Sequence, residues 1–336
     1  MWEGRTILVT GGAGFIGSNL AKRLLELGAD VRIADDFSRG SEDNVRPFLK
    51  KITVHRTDLT RLENCLQSVR GVDYVFHLAA SVGGIQYITK ENVGGSTPSL
   101  LMNTNMLEAA RECDVKRFLF TSSACVYREK SSSMNRFRED DAYPANPLTT
   151  YGWSKLMGEI QCRSYFQDYG IKSSVPRIFN AYGENEKLDP RSAHVIPSLI
   201  RRAILYPHEG FSVFGDGKQE RAFLYIQDCV DGLIRCMERT TNAEPVNLGS
   251  EEVTSIADLA HKIVGLSNKC IRIEYDMHGP QGTHRYSADT SRMKSLLDWA
   301  PKVLVQEGLR RTFEWTRARL ERAPSTNGPE SSLNPK

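Results

Sequence analysis

For about its first 180 residues the chain alternates short apolar runs with longer segments of helical period. The runs TILVT (6–10), VRIAD (31–35), ITVH (52–55), DYVFHLA (73–79), RFLFTS (117–122) and IKSSVPRIF (171–179) predict strands. Between them FIGSNLAKRLLELG, LTRLENCLQSV, LLMNTNMLEAAREC and YGWSKLMGEIQCRSYFQDYG predict helices, with Gly28 and Gly170 as stop signals past two of them. Regular strand–helix alternation predicts an α/β fold, a doubly wound parallel sheet covered on both faces. Past residue 180 the rhythm changes. Pro190, Pro197, Pro207, FGDGKQ and MHGPQGTH break the chain into shorter pieces, which predicts a smaller, mixed lobe over 179–322. QDCVDGLIRCMER predicts a helix and PVNLGS a strand, so 226–250 is expected to return to the domain begun by 1–178. The tail APSTNGPESSLNPK (323–336) has Leu333 as its one large apolar residue and is expected to be disordered.

Composition narrows the class. A chain of 336 residues with 40% hydrophobic and 25% charged positions is ordinary for one or two globular domains. The formal net charge of +3 is too small to argue for nucleic acid, and no apolar run approaches the ~18 residues of a spanning helix. Nothing at the amino terminus resembles a signal peptide, since it leads almost directly into RTILVTGG. The seven cysteines are odd in number, scattered and without a CxxC pair, which fits reduced thiols better than disulfides or a zinc site. The expectation is a cytoplasmic protein without a structural metal.

Two clusters carry candidate chemistry. Gly11, Gly14 and Gly17 stand in GxxGxxG spacing, with Phe15 and Ile16 between the last two, where a strand turns into a helix. A tight turn, close approach of backbone amides to a diphosphate and close helix–strand packing each need a glycine there. Asp35, at the end of the next strand, is placed to accept hydrogen bonds from an adenosine ribose and would repel a 2′-phosphate. NAD is therefore expected over NADP, with Arg39 the one nearby charge that points the other way. The second cluster is TTYGWSK. Tyr151 and Lys155 are four apart on a helix, so a phenol that is a poor base near pKa ~10 sits beside an ammonium that favours its phenolate. A phenolate in reach of a substrate hydroxyl can take its proton while hydride leaves the carbon. The preceding strand ends in FTSSACVY, which brings Ser123 and Cys125 to the same region.

Taken together, the glycine turn, HLAA (77–80), TSSACVY, YGWSK, RIFNAYG and GDGKQERAFLYIQD resemble the extended short-chain dehydrogenase/reductase superfamily over about residues 5–320. Its NAD-dependent nucleotide-sugar epimerases and dehydratases are the most similar in pattern. The resemblance implies a Rossmann-type domain holding NAD and a carboxyl-terminal lobe gripping a nucleotide-diphosphate sugar. It implies Ser123, Tyr151 and Lys155 as the set that oxidises the sugar at C4. It implies Asp58 and Leu59 near adenine, and Leu78, Ala79 and Ala80 along the cofactor. Asn180, Arg221 and Arg285 are implied on the sugar nucleotide, and helices 100–113 and 151–169 in a homodimer.

Cys125 stands where simple 4-epimerases of this superfamily carry a threonine or another non-acidic residue and 4,6-dehydratases carry the second member of an Asp-Glu pair. A C4 ketone makes the C3 and C5 protons acidic, and a thiol of ordinary pKa ~8.5 is a workable base at such a carbon. A cysteine here resembles the branch that inverts C3 and C5 of GDP sugars, GDP-mannose 3,5-epimerase and GDP-fucose synthase. LAASVGGI, with Gly83 and Gly84, and SAHVIPSLIRR, with His194, resemble the same branch. His194 would then be the acid on the opposite ring face. Four departures stand against the pattern: Arg128 for glycine or proline, no lysine at the acid position near His194 and Val195, Ser99 where an asparagine is usual (unless Asn103 or Asn105 substitutes), and Ala222 for an acid after Arg221. The alternatives are a 4-epimerase with a passive Cys125, a dehydratase or reductase, and a non-catalytic NAD-sensing regulator. Packing alone would also account for Cys125 as a small buried residue, and helix capping or a diphosphate contact for His194, while His77 reads as a packed strand residue.

Overall fold

The computed structural model describes residues 1–81, 92–128, 136–190, 193–278 and 285–322. Its centre is a parallel sheet built from β1 (Thr6–Thr10), β2 (Asp30–Asp35), β3 (Thr53–Arg56), β4 (Tyr74–His77), β5 (Arg117–Phe120), β6 (Ser122–Ser123), β8 (Ser173–Ile178) and β13 (Asn242–Leu248). The order is β13-β8-β5-β4-β1-β2-β3, with β6 paired to β8. Successive residues of one strand serve two cores. Leu119 joins one apolar cluster with Ile7, Val9, Leu20 and Leu233, while its neighbours Phe118 and Phe120 join the other with Leu8, Val69, Met106 and Cys162. Burial on both faces explains why these strands read as continuous apolar runs.

Helices α1 (Phe15–Glu26), α2 (Glu42–Val45), α3 (Leu62–Val69), α4 (Asn92–Glu112) and α5 (Thr150–Tyr169) connect the first strands, and α5 ends at Gly170 in the left-handed conformation, φ 72°. The remainder carries α6 (Val195–Leu205), α7 (Ile226–Arg239), α8 (Ile256–Ser267), α9 (Ser291–Leu297) and α10 (Val305–Arg322). Small sheets accompany them: β9 (Ala181–Tyr182) with β12 (Leu224–Tyr225), β10 (Ser212–Phe214) with β15 (Glu274–Asp276), and β14 (Val253–Ser255), β11 (Glu220–Ala222), β16 (Arg285–Ala288) and β7 (Arg136–Phe137) in that order. The later part of the chain is thus richer in helix than its broken rhythm predicts. The doubly wound sheet is as expected, and β13 places 242–248 beside β8 within it.

Several boundaries differ from the pattern. Helix α4 begins eight residues before LLMNTN and runs through VGGSTPS with Pro98 inside it. The helix as a whole packs against α3 and α5, and within this poor helix-forming stretch Ser99 Oγ donates to the Gly95 carbonyl at 2.9 Å and accepts the Ser81 amide at 3.1 Å. Strand β4 stops at His77 because the amides of Leu78 and Ala79 both turn to Thr10 Oγ1, at 3.1 Å each. The RFLFTS strand breaks at Thr121, whose amide bonds the His77 carbonyl at 3.2 Å. Beyond the break, Ser122 and Ser123 pair with Arg177 and Ile178 of β8.

The strand order reverses between β1 and β4. In open parallel sheets the crevice at the carboxyl ends beside such a reversal is where ligands bind.

Candidate active site

The glycine turn lies in that crevice. Gly11 has φ +63°, and a Cβ at Gly17 would lie 2.1 Å from the Gly11 carbonyl oxygen, so the start of α1 is pressed onto the turn. Gly14 caps α1 without a side-chain hydrogen bond, and the Ser18 amide returns to the Gly14 carbonyl at 3.1 Å. The amides of Phe15, Ile16 and Gly17 are therefore free of the helix's own carbonyls, which makes a cradle for an anion. Asp35 closes β2 beside it. Its two carboxylate oxygens accept the amides of Ala13 at 2.9 Å and Phe37 at 2.8 Å, and burial raises its pKa. Each oxygen keeps a lone pair for a ribose hydroxyl. A small-residue cradle for a diphosphate with a carboxylate one strand away fits NAD. Asp58, exposed after β3, commits one oxygen to Thr60 (2.9 Å to the amide and 2.7 Å to the hydroxyl), and Leu59 is buried beside it. Ala79 lies against the turn, where a Cβ on Gly11 would meet it at 3.1 Å.

On the other side of the reversal, α5 starts at Thr149, whose hydroxyl accepts the Gly152 amide at 3.1 Å. Gly152 has no room for a side chain, since a Cβ there would lie 2.2 Å from the Cys125 carbonyl oxygen. That contact seats the helix on the turn after β6. Lys155 Nζ donates to the Thr121 carbonyl at 2.8 Å and lies 5.8 Å from the centre of the Tyr151 ring. Burial pulls the Lys155 pKa down to about 8. Tyr151 is raised by burial and by Cys125, with the Ser123 hydroxyl opposing. Ser123 Oγ also accepts the Cys125 amide at 3.1 Å. Burial pushes the Cys125 thiol up, with Ser123 and the Lys155 ammonium pulling against it. Ser123, Cys125, Tyr151 and Lys155 thus form one constellation at the carboxyl end of the sheet.

A deeper chain stiffens both clusters. The Thr10 hydroxyl accepts from Leu78 and Ala79, so its proton goes to His77 Nδ1 at 2.8 Å, and Nε2–H then donates to Asn103 Oδ1 at 3.0 Å. Burial pushes the His77 pKa down to about 3, which fixes a neutral ring in a packed role. Of Ser99, Asn103 and Asn105, Asn103 is the one bonded to His77; Asn105 bonds the Thr60 carbonyl at 2.9 Å and the buried Ser99 accepts the Ser81 amide at 3.1 Å.

Residues 7–249 match the model of the NAD dependent epimerase/dehydratase family. The chain belongs to that family. Its members' defining cofactor, NAD, is this protein's cofactor as well. Among curated relatives, GDP-mannose 3,5-epimerase of Arabidopsis thaliana is 34% identical over 334 residues, covering 98% of this chain and 87% of the relative. Among solved structures, UDP-glucose 4-epimerase of Thermotoga maritima with UDP-glucose superposes with a TM-score of 0.86 at 27% identity, covering 94% of this chain and 99% of the other. UDP-glucose 4-epimerase of Thermus thermophilus in complex with NAD gives 0.81 at 25% identity, covering 93% and 99%.

The remaining sequence candidates of this epimerase-family chain are placed unevenly. Asn180, at φ 37°, donates to the Ala222 carbonyl at 3.0 Å. Arg221 donates to the Glu220 carbonyl at 2.7 Å, and strand pairing sets Glu220 opposite Arg285 and Arg221 opposite Tyr286. Gly83 and Gly84 lie outside the described residues. His194 caps α6 with its side chain 56% exposed and its Nδ1 2.5 Å from the Glu186 carboxylate. The charges acting on it are Glu186, which raises its pKa, and Arg39, which lowers it. The Cys125 thiol is acted on instead by the Ser123 hydroxyl and the Lys155 ammonium. All seven thiols are unpaired, and no group of metal-ligating side chains forms among the described residues.

Sequence reading missed the buried pair Glu159–Arg177. Arg177 Nε and Nη2 meet the two Glu159 oxygens at 2.8 and 2.7 Å, and the arginine side chain is 0% exposed. A signal existed. Glu159 falls one turn past Lys155 on α5, and Arg177 is the one charge in SSVPRIF.

Proposed function

We propose that the protein is a nucleotide-diphosphate-sugar epimerase that oxidises C4 transiently and inverts C3, C5 or both, as on a GDP-mannose-like substrate. The observation that carries this reading is the Cys125 thiol at the end of β6, in one constellation with Ser123, Tyr151 and Lys155. The 34% identity to a GDP-mannose 3,5-epimerase supports it.

Held by the Gly11–Gly17 turn and Asp35, NAD would supply the hydride acceptor that transient oxidation of C4 needs. Tyr151, as phenolate, takes the C4 hydroxyl proton, aided by the buried Lys155 ammonium and by the Ser123 hydroxyl, and gives it back when C4 is restored. With C4 a ketone, Cys125 as thiolate takes the proton from C3 or C5; the C–H pair moves into the enolate and an S–H bond forms. His194, whose proton Glu186 favours, supplies a proton from the other face. Arg221 and Arg285, on adjacent strands of the small sheet, are the proposed diphosphate ligands. The competing reading is a 4-epimerase with a passive thiol, supported by the likeness to the Thermotoga enzyme.

Proton NMR in D2O separates them. Sugar nucleotides incubated with the NAD-loaded enzyme are expected to take up deuterium at C3 or C5, and Cys125→Ala is expected to slow uptake by ~10²-fold or more. Inversion at C4 without deuterium uptake would sink the thiol's role.

We also propose a homodimer through α4 and α5, which pack side by side. Trp153, Met157 and Ile160 form one stripe on α5 and are 48%, 46% and 42% exposed, and Leu101 of α4 is 46% exposed. Light scattering should give twice the chain mass, and Met157→Glu should shift it toward one chain. A monomeric wild type would refute the assignment. The unpaired thiols support a reducing, cytoplasmic setting, and no described helix is long and apolar enough to cross a membrane.

A further inference from the structure

The segment that carries Ser123 and Cys125 is short, and both of its flanks end on the same buried pair. On one side the Ser122 hydroxyl donates to Glu159 Oε1. On the other the Tyr127 hydroxyl accepts from Arg177 Nη1 at 2.9 Å and donates to Asn247 Oδ1. Arg177 Nη1 also reaches the Glu139 carbonyl at 2.7 Å, and Glu139 Oε1 accepts the Asn247 amide at 2.8 Å. Between the anchors the chain makes one tight turn, with the Tyr127 amide on the Ala124 carbonyl at 3.1 Å. Helix α5 meets this segment twice: at Gly152, whose backbone touches Cys125, and two turns on at Glu159, whose carboxylate holds Ser122. Tyr151 and Lys155 lie on the same stretch of helix.

From this geometry we infer that Glu159 and Arg177 are positioning residues, a buried hub that sets the Cys125 turn against the Tyr151–Lys155 face of α5. Every donor of the guanidinium used here faces a partner already tied to the segment, to α5 or to β13, so its displacement moves all three together. An ion pair this deep adds little net stability over apolar groups of the same size, because removing two charges from water costs about what their attraction returns. Its value lies in directional bonds that fix register, which apolar side chains do not supply. Glu159 also raises the Lys155 pKa, so the same carboxylate helps keep the ammonium beside Tyr151 charged. The inference rests on the proposed roles of Tyr151 and Cys125, and its test is built to fail separately from them.

The test compares NAD-loaded wild type, Glu159→Leu/Arg177→Met and Tyr127→Phe, all in a Cys270→Ser background that removes the exposed thiol. The double variant roughly keeps side-chain volume and strands neither charge of the pair; Tyr127→Phe, which removes one hydroxyl, stands in if the double does not fold. Two readouts are taken: turnover on the sugar nucleotide with its pH profile, and the alkylation rate of Cys125 by iodoacetamide, mapped by mass spectrometry. In the double variant the expected result is a fall in kcat of ~10²-fold with little change in KM. Its alkaline limb should move to lower pH, and Cys125 alkylation should be about tenfold faster as the turn loosens. Tyr127→Phe should give smaller changes in kcat and alkylation in the same directions. A folded double variant with wild-type alkylation and an unmoved limb would overturn the inference, even if kcat fell, since that is what a merely structural pair predicts. If the wild type turns over no sugar nucleotide, the proposed function fails, and the alkylation rates alone decide for or against the hub.

Discussion

Tyr151→Phe is expected to lower turnover by ~10²–10⁴-fold while leaving NAD bound. The ring is buried, 8% exposed, and the substitution removes one oxygen without changing its shape. On the proposed mechanism the variant lacks the acceptor of the C4 hydroxyl proton, so the reduced-nicotinamide absorbance expected on mixing wild-type enzyme with substrate should not develop. The pH profile carries a second signature. Burial sets Lys155 at about 8, so the ammonium is present below that pH and is lost above it. Wild-type activity should therefore fall on the alkaline side near pH 8, and Lys155→Met should be slow across the range with no such limb. Full activity in Tyr151→Phe would remove the phenol from the chemistry.

The second large effect is on stability. Arg177→Met alone leaves the Glu159 carboxylate 4% exposed with the Ser122 hydroxyl as its remaining hydrogen-bond donor, and Tyr127 loses the donor at 2.9 Å. Breaking a buried pair by removing one partner costs about 3–5 kcal/mol, far more than the pair's net contribution, because an uncompensated charge remains inside. Urea unfolding should show a midpoint lowered by that free energy divided by the slope m, with m itself unchanged. Adding Glu159→Leu should recover most of the loss, a strongly non-additive pair of the kind expected for groups in direct contact. Equal destabilisation in the single and double variants would mean that lost packing, not the stranded charge, sets the cost.

The two predictions divide along what was legible beforehand. The glycine turn, Asp35 and the Tyr151–Lys155 spacing are local: each is fixed by neighbours a few residues away, so the one-dimensional pattern carries them. Helix α4 through VGGSTPS was not legible, because its stability comes from packing against α3 and α5 and not from its own residues. Ser123 and Cys125 were legible as the end of a strand, whereas the pressing of Gly152 onto the Cys125 carbonyl belongs to the meeting of two distant segments.

The same division separates the candidate site residues. Local pattern was enough for the doubly wound sheet, the glycine turn and the Tyr151–Lys155 spacing, since period, turn chemistry and i,i+4 spacing are short-range properties of a chain. Folding in three dimensions was needed to make His77 a neutral ring locked between Thr10 and Asn103, to set His194 with Glu186 and Arg39, and to bring Glu159 to Arg177. Each of those outcomes depends on a partner that the fold brings in, 8 residues away for His194–Glu186, 18 for Glu159–Arg177 and 67 for His77–Thr10. A buried polar group must find its partner wherever the fold brings one, and that placement is a property of packing, which no local pattern encodes.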